Sequence, residues 1–197
     1  MAWNPKKFSA PNHESFAEIK QSLDELKQEN AQLRRENDDL ENRERRNNLV
    51  FYGIEQDCPN ESWDSSEDKV KRLLRDKLGI KDDIEFERVH RVVNAPPIRG
   101  EKPIIAKFTK FKDRSKVLTN ANKLKDTNIS IGEDFSRRMR NIRAKLFAFR
   151  KAQLEENNAK KIQIRYDKLI VTDDKGAKTT FKVDENSGQV KEMRRSS

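Results

Sequence analysis

From Phe16 the chain sets its large apolar side chains at spacings that alternate between three and four residues. Phe16, Ile19, Leu23, Leu26, Asn30, Leu33, Asn37 and Leu40 fall at successive a and d positions of one heptad register, and every d position from Ile19 to Leu40 is isoleucine or leucine. So narrow a seam, flanked by Glu, Lys, Arg and Gln, buries its face only against another chain. The spacing predicts a parallel coiled coil over residues 15–46, with these eight residues as its contacts. Asn30 and Asn37 occupy a positions, where a buried amide fixes register at some cost in stability and leans towards a dimer. Glu29 and Arg34 attract between chains while Glu36 and Glu41 repel, so the charges leave the number of strands open.

At Arg45-Arg46-Asn47-Asn48-Leu49-Val50-Phe51-Tyr52-Gly53-Ile54 the heptads give way to a β-prone run. Leu49 to Ile54 reads as a strand. Glu61 to Leu78 reads as a helix capped by Ser62 or Ser65, with Val70, Leu73, Leu74 and Leu78 as its stripe and Gly79 as its stop. Ile84 to Arg91 and Pro103 to Phe108 read as strands, Phe111 to Leu124 as a helix, and Ile129 to Ile131 as a short strand. A β-α-β-β-α-β order over residues 47–131 predicts a ferredoxin-like sandwich, the architecture of the RNA-recognition motif.

Beyond it, Ser136 caps a predicted helix running to about Asn157, with Met139, Ile142, Leu146, Phe149 and Ala152 on its apolar face. Lys161 to Val171 alternates like one or two strands, Asp173-Asp174-Lys175-Gly176 makes a turn, and Thr179 to Val183 returns. The fold class is therefore α+β: a coiled coil, a ferredoxin-like domain, and a small helix-plus-hairpin domain over residues 132–184. Residues 1–14, which include Trp3, and 185–197 read as flexible tails.

Charge adds a direction to this layout. Of 197 residues, 33% are hydrophobic and 39% charged, and the net charge is +9. Residues 137–168 alone hold 11 basic and 3 acidic side chains, the local density expected where phosphates are neutralised. One cysteine, Cys58, and two histidines leave little material for a disulfide framework or a metal centre, and neither metal nor cofactor is expected. The opening Met1–Phe8 lacks the apolar core of a secretory signal, and no later run approaches membrane-spanning length. A soluble intracellular protein with no membrane partner is the expectation.

The sequence also carries a resemblance. Its coiled coil, the run 45–54, Glu-Arg-Val-His-Arg-Val (87–92), Pro-Ile-Ile-Ala-Lys-Phe (103–108), Glu-Asp-Phe-Ser (133–136) and Arg-Tyr-Asp-Lys-Leu-Ile-Val (165–171) together resemble the first-reading-frame proteins of LINE retrotransposons. The resemblance covers residues 16–183. It implies a chain that trimerises through the coil, grips single-stranded RNA and DNA with an atypical RNA-recognition motif and a C-terminal domain, coats its element's RNA and acts as a nucleic-acid chaperone. It implies cytoplasmic ribonucleoprotein particles, with nuclear entry left open.

Candidate nucleic-acid contacts follow from residue type. Arg88 and Arg91 end the second strand, and Arg forks suit phosphate. The bland alternative for them is pairing with Glu85, Glu87 or a helix acid. Lys107 points outward on the third strand. Arg137, Arg138, Arg140 and Arg143 crowd a helix start, where cations oppose the helix dipole and gain from a nearby anion. On a strand Tyr166 and Lys168 would share a face beside Arg165, letting a base stack while a phosphate is held. The alternative for Tyr166 is packing on Phe149 or Phe181. His90 and Trp63 read as structural. An ordinary RNA-recognition motif stacks bases on aromatics of its central strands, but here the outward positions are Val50, Pro103 and Ile105, with Tyr52 as the substitute. An enzyme would need clustered carboxylates or a histidine constellation; Asp82-Asp83 and Asp173-Asp174 read as loop and turn. The competing expectation is a coiled-coil scaffold or adaptor whose α+β module binds protein.

Overall fold

The computed structural model describes residues 13–156, 161–184 and 187–193. Trp3 and the tail expected over residues 1–14 lie outside the described residues as far as residue 12. The chain divides into two units, residues 1–40 and 41–197.

Helix α1 (His13–Arg45) supplies the first unit and its last turn enters the second. Along the first unit the heptad residues stand open: Phe16, Ile19, Leu23, Leu26, Leu33 and Leu40 are each 49–62% exposed. Asn30 and Asn37 are exposed with them. Gln21 donates to Glu25 and Gln32 to Glu36, both at 2.9 Å, and Lys27 pairs with Asp24 at 3.3 Å. Such pairs contribute only a few tenths of a kcal/mol each.

The second unit begins with β1 (Asn48–Tyr52), followed by α2 (Trp63–Asp76), β2 (Phe86–Arg91), β3 (Ile104–Phe108), α3 (Phe111–Asn120) and β4 (Ser130–Glu133). Ala121–Leu124, expected to extend α3, tightens into a 3-10 turn. The sheet is antiparallel with order β2-β3-β1-β4. Alternation sends Leu49 and Phe51 of β1, with Ile104, Ala106 and Phe108 of β3, into one core shared with Val70, Leu73 and Leu74 of α2 and Val117 of α3. Ser62 caps α2, its hydroxyl accepting from the Ser65 N–H at 3.1 Å, and Gly79 at φ +69° ends that segment.

Gly53 closes β1 at φ +76°, and a Cβ built there would lie 2.2 Å from the Asn128 carbonyl oxygen. Gly53→Ala is therefore expected to cost more than about 2 kcal/mol, because backbone strain and a clash with fixed backbone add. Gly176 also has positive φ, +81°, but nothing within 4 Å. Its alanine variant should lose only about 1 kcal/mol. Parallel urea unfolding of the two variants checks the contrast.

A second, smaller core lies under α4 (Arg137–Glu156), which packs on β5 (Lys161–Arg165), β6 (Lys168–Thr172), β7 (Lys178–Val183) and β8 (Val190–Glu192). The four strands form an antiparallel meander in chain order. Leu146, Ile162, Leu169 and Val171 are its buried centre, and the Phe149 and Phe181 rings meet at 5.2 Å. Asp173 makes the expected turn, accepting from the Lys175 and Ala177 N–H groups at 3.0 and 2.8 Å.

Strand β8 corrects the tail expected over residues 185–197. Asp184 accepts from the Ser187 N–H and hydroxyl at 2.8 and 2.6 Å, which folds the chain back so that Val190 pairs with Val183. Those bonds, with Lys191, hold the Asp184 carboxyl down to about 2. Residues 185–186 and 194–197 of that tail lie outside the described residues. Among the described residues no helix is long and apolar enough to cross a membrane.

Candidate nucleic-acid interface

The position of α4 is set by a polar junction. Arg45 Nη1 donates to both carboxylate oxygens of buried Asp134 at 2.9 and 2.8 Å, and Asn48 Nδ2 donates to the same group at 3.0 Å. Asn42 Nδ2 donates to the Ser136 hydroxyl at 3.1 Å while Ser136 N–H donates back to Asn42 Oδ1 at 3.0 Å. The Ser136 hydroxyl in turn accepts from the Met139 N–H at 3.1 Å, capping α4 as its sequence predicts. The end of α1, the start of β1 and the start of α4 thus share one hydrogen-bonded node.

From that node α4 presents a stripe. Arg140, Arg143, Phe147 and Arg150 recur three, four and three residues apart, so they line one face over roughly 15 Å. Arg143 is its centre: the guanidinium lies 4.5 Å from the Phe135 ring centroid and 5.7 Å from that of Phe147, and Nη1 donates to the Tyr166 carbonyl at 2.9 Å. Burial pushes the Arg143 pKa down and Glu133 opposes the shift; the group stays cationic at neutral pH. A concavity of about 420 Å³ lies alongside, lined by Arg143, Phe147, Arg150 and the β5 run Ile162 to Arg165. Among the described residues no ion pair engages Arg137, Arg140, Arg150, Arg165 or Lys168. Cations left unpaired beside open aromatic rings can hold phosphates while the rings stack bases.

Tyr166 departs from its expected place. It is no strand residue but the first residue of the two-residue turn between β5 and β6, at φ +51°. It therefore does not share a strand face with Lys168. Its ring meets Phe135 at 6.0 Å and is 45% exposed, whereas Phe149 and Phe181 pack on each other. A non-glycine residue in the left-handed region is uncommon and costs about 1 kcal/mol or more. Here the strained turn offers its carbonyl to Arg143 and sets the Tyr166 ring against Phe135.

The arginines of the α4 start do not form one patch. Arg137 is exposed, Arg138 is half-buried, and Arg140 and Arg143 belong to the stripe, Arg140 also lying close enough to Tyr52 to act on its ionisation. Burial pushes the Tyr52 pKa up, Arg140 draws it down and Asp134 adds to the rise. Val50, the outward residue of β1, is only 7% exposed. The two central strands of the first sheet thus present Val50 and Ile105 where stacking aromatics would stand, with half-buried Tyr52 on β1 and half-buried His90 on the neighbouring β2.

Arg91 is a correction. Its side chain is 3% exposed, with Nη1 donating to the Ile54 and Lys102 carbonyls at 3.1 and 2.6 Å, and Nη2 to Glu55 O at 3.0 Å and to Glu61 at 3.2 and 3.0 Å. The fork is consumed by the loop before α2, so it holds structure instead of phosphate. Lys107 is likewise engaged, donating to Glu87 at 2.6 Å. Arg88 stays exposed beside the bulge between Phe86 and Arg88. His90 is half-buried, and burial followed by Arg88 pushes its pKa down. Trp63, read as a packing anchor, is 63% exposed, with its ring 6.1 Å from His90. Phe135, Phe147 and Arg150 join the site without standing among the candidates by residue type; for Phe147 and Arg150 the three–four–three spacing with Arg140 and Arg143 is the sequence signal.

No family model matches the chain, and no curated protein matches it.

Proposed function

We propose that this is a self-associating protein that binds single-stranded RNA and DNA with little base preference and acts as a nucleic-acid chaperone. The observation that carries the reading is Arg143, half-buried between Phe135 and Phe147 and bonded to the strained turn that presents Tyr166, with Arg150 and Arg165, which no ion pair engages among the described residues, lining the same concavity. The strand order β2-β3-β1-β4 with two helices on one face supports a ferredoxin-like, RNA-recognition-motif type of module. On this reading nucleic acid is gripped mainly by the α4 stripe and the β5–β6 turn, not by the first sheet. Phosphate charge and sequence-tolerant stacking then supply the affinity. The exposed heptad residues support a parallel coiled coil of two or three chains. The resemblance to LINE first-reading-frame proteins fits a ribonucleoprotein coat.

A second reading, a coiled-coil scaffold whose α+β module binds protein, draws on exposed Trp63 and Val93 beside a small pocket. A salt titration of binding to a labelled single-stranded oligonucleotide separates the two. The nucleic-acid reading expects log K to fall linearly with log salt, by about 0.7 per phosphate neutralised; no affinity at low salt would sink it. Tyr166→Ala should weaken binding by roughly 5- to 100-fold, as loss of one base stack does, and fluorescence anisotropy would read the change.

A further inference from the structure

The outer face of the C-terminal sheet carries a row of cations that the α4 stripe does not use. Register pairs Arg165 of β5 with Lys168 of β6, Lys168 with Lys182 of β7, and Lys182 with Lys191 of β8. Ile164, Leu169, Phe181 and Val183 belong to the core beneath α4, so alternation sends these four cations to the opposite face. At the usual strand spacing the row is roughly 14 Å long. Four positions further along the strands, beyond Gln163, Ile170 and Thr180, Lys161 and Lys178 flank Thr172 on the same face. Asp167 pairs with Lys182 at 2.8 Å and Asp184 with Lys191 at 3.3 Å, but both acids lie outside the strands. Six cations and no acid occupy the outward strand positions themselves.

Like charges directly opposite each other across strands are destabilising. Lys168, with a cation on either side, is the worst placed. The two exposed pairs to Asp167 and Asp184 offset little of this repulsion, whereas a polyanion laid across the row would neutralise every member.

We propose that the row is a second track for a nucleic-acid strand, so that each protomer holds two strands, one on the α4 stripe and one on the outer face of the sheet. This rests on the reading of the stripe as a single-strand site. Arg165, which lines the concavity beside α4 and also begins the row, joins the two tracks. Two strands held on one small domain, on tracks that meet at Arg165, are kept at high local concentration where their free bases can find one another. That is the geometry strand annealing requires, and it deepens the chaperone function into a mechanism with two sites.

The test neutralises the row and its continuation and spares the stripe and the β5–β6 turn, in the full chain: Lys178→Gln, Lys182→Gln and Lys191→Gln together. A short single-stranded oligonucleotide, titrated to saturation by sedimentation, should bind at two per protomer in the natural protein and one in the variant. Affinity for the first strand should change by less than about threefold. Acceleration of annealing of two complementary oligonucleotides should fall at least tenfold. The thermal midpoint of the variant should change little, because relief of like-charge repulsion offsets the loss of the exposed pairs to Asp167 and Asp184. One strand per protomer in the natural protein, or undiminished annealing in the variant, overturns the second track and leaves the stripe intact. No binding by the natural protein at low salt overturns both.

Discussion

Replacing Leu26 and Leu33 together with lysine is expected to yield a monomer that holds long single-stranded nucleic acid about 10²- to 10⁴-fold more weakly. Both residues are d positions and both are more than half exposed on the single chain. A helix of 33 residues with its apolar stripe in water has no packing of its own to sustain it there. Two or three identical grips joined side by side raise each other's effective concentration without any new contact. Binding of an oligonucleotide too short to bridge protomers should therefore change little. Comparable losses for short and long strands would contradict the coupling. The variant's second unit should keep its own stability, since Leu26 and Leu33 belong to the first.

The second large effect concerns Glu61. Its carboxylate is 1% exposed and accepts from Lys69 at 2.7 Å, from the Ser66 hydroxyl at 2.7 Å, and from Arg91 at 3.2 and 3.0 Å. Glu61→Ala strands the buried guanidinium of Arg91 and should cost about 3–5 kcal/mol, a large share of an ordinary domain's stability. Burial pushes the Glu61 pKa up, but the hydrogen bonds from Lys69, Ser66 and Arg91 outweigh it, and the net shift is downward. A carboxylate held below its unfolded value stabilises the fold above that value, about pH 4.3, and loses the contribution as pH falls through the lower folded pKa. The gap between natural protein and Glu61→Gln should therefore be full at pH 7 and close on acidification below about pH 4. Urea unfolding at several pH values measures it. A gap that persists unchanged at pH 2 would show that the carboxylate charge is not what Glu61 supplies.

Much of this architecture is legible from residue patterns because local signals and burial agree. Ser62 and Ser136 cap the helices their positions predict. The alternation of β1 separates Leu49 and Phe51 from Val50 as the sheet requires. The misplacements have physical causes. Arg91 finds Glu61 thirty residues away, across a loop whose path no spacing rule reveals. Tyr166 sits in Lys-Ile-Gln-Ile-Arg-Tyr-Asp-Lys-Leu-Ile-Val, where the turn contains neither glycine nor asparagine, so the alternation hides a bend that needs positive φ. Strand β8 has three residues, of which only Val190 is apolar, too few for a period to register. Trp63 looks like an anchor because it lies seven residues before Val70, on the same face of α2; at the helix's first residue that face meets His90 and solvent instead of the core. Phe135 and Phe147 join the site only because the Asp134–Ser136 node and the helix stripe bring them to Arg143.

The central claim, that self-association and single-strand binding act together in one particle, is tested most directly by the particle's mass in solution. Sedimentation of the full chain, alone and with a labelled single-stranded oligonucleotide at low and high salt, supplies it. The expected result is a particle of two or three 23.2 kDa chains that gains oligonucleotide mass at low salt and releases it at high salt without dissociating. A particle of single-chain mass, or one that gains no mass at low salt, would contradict the account.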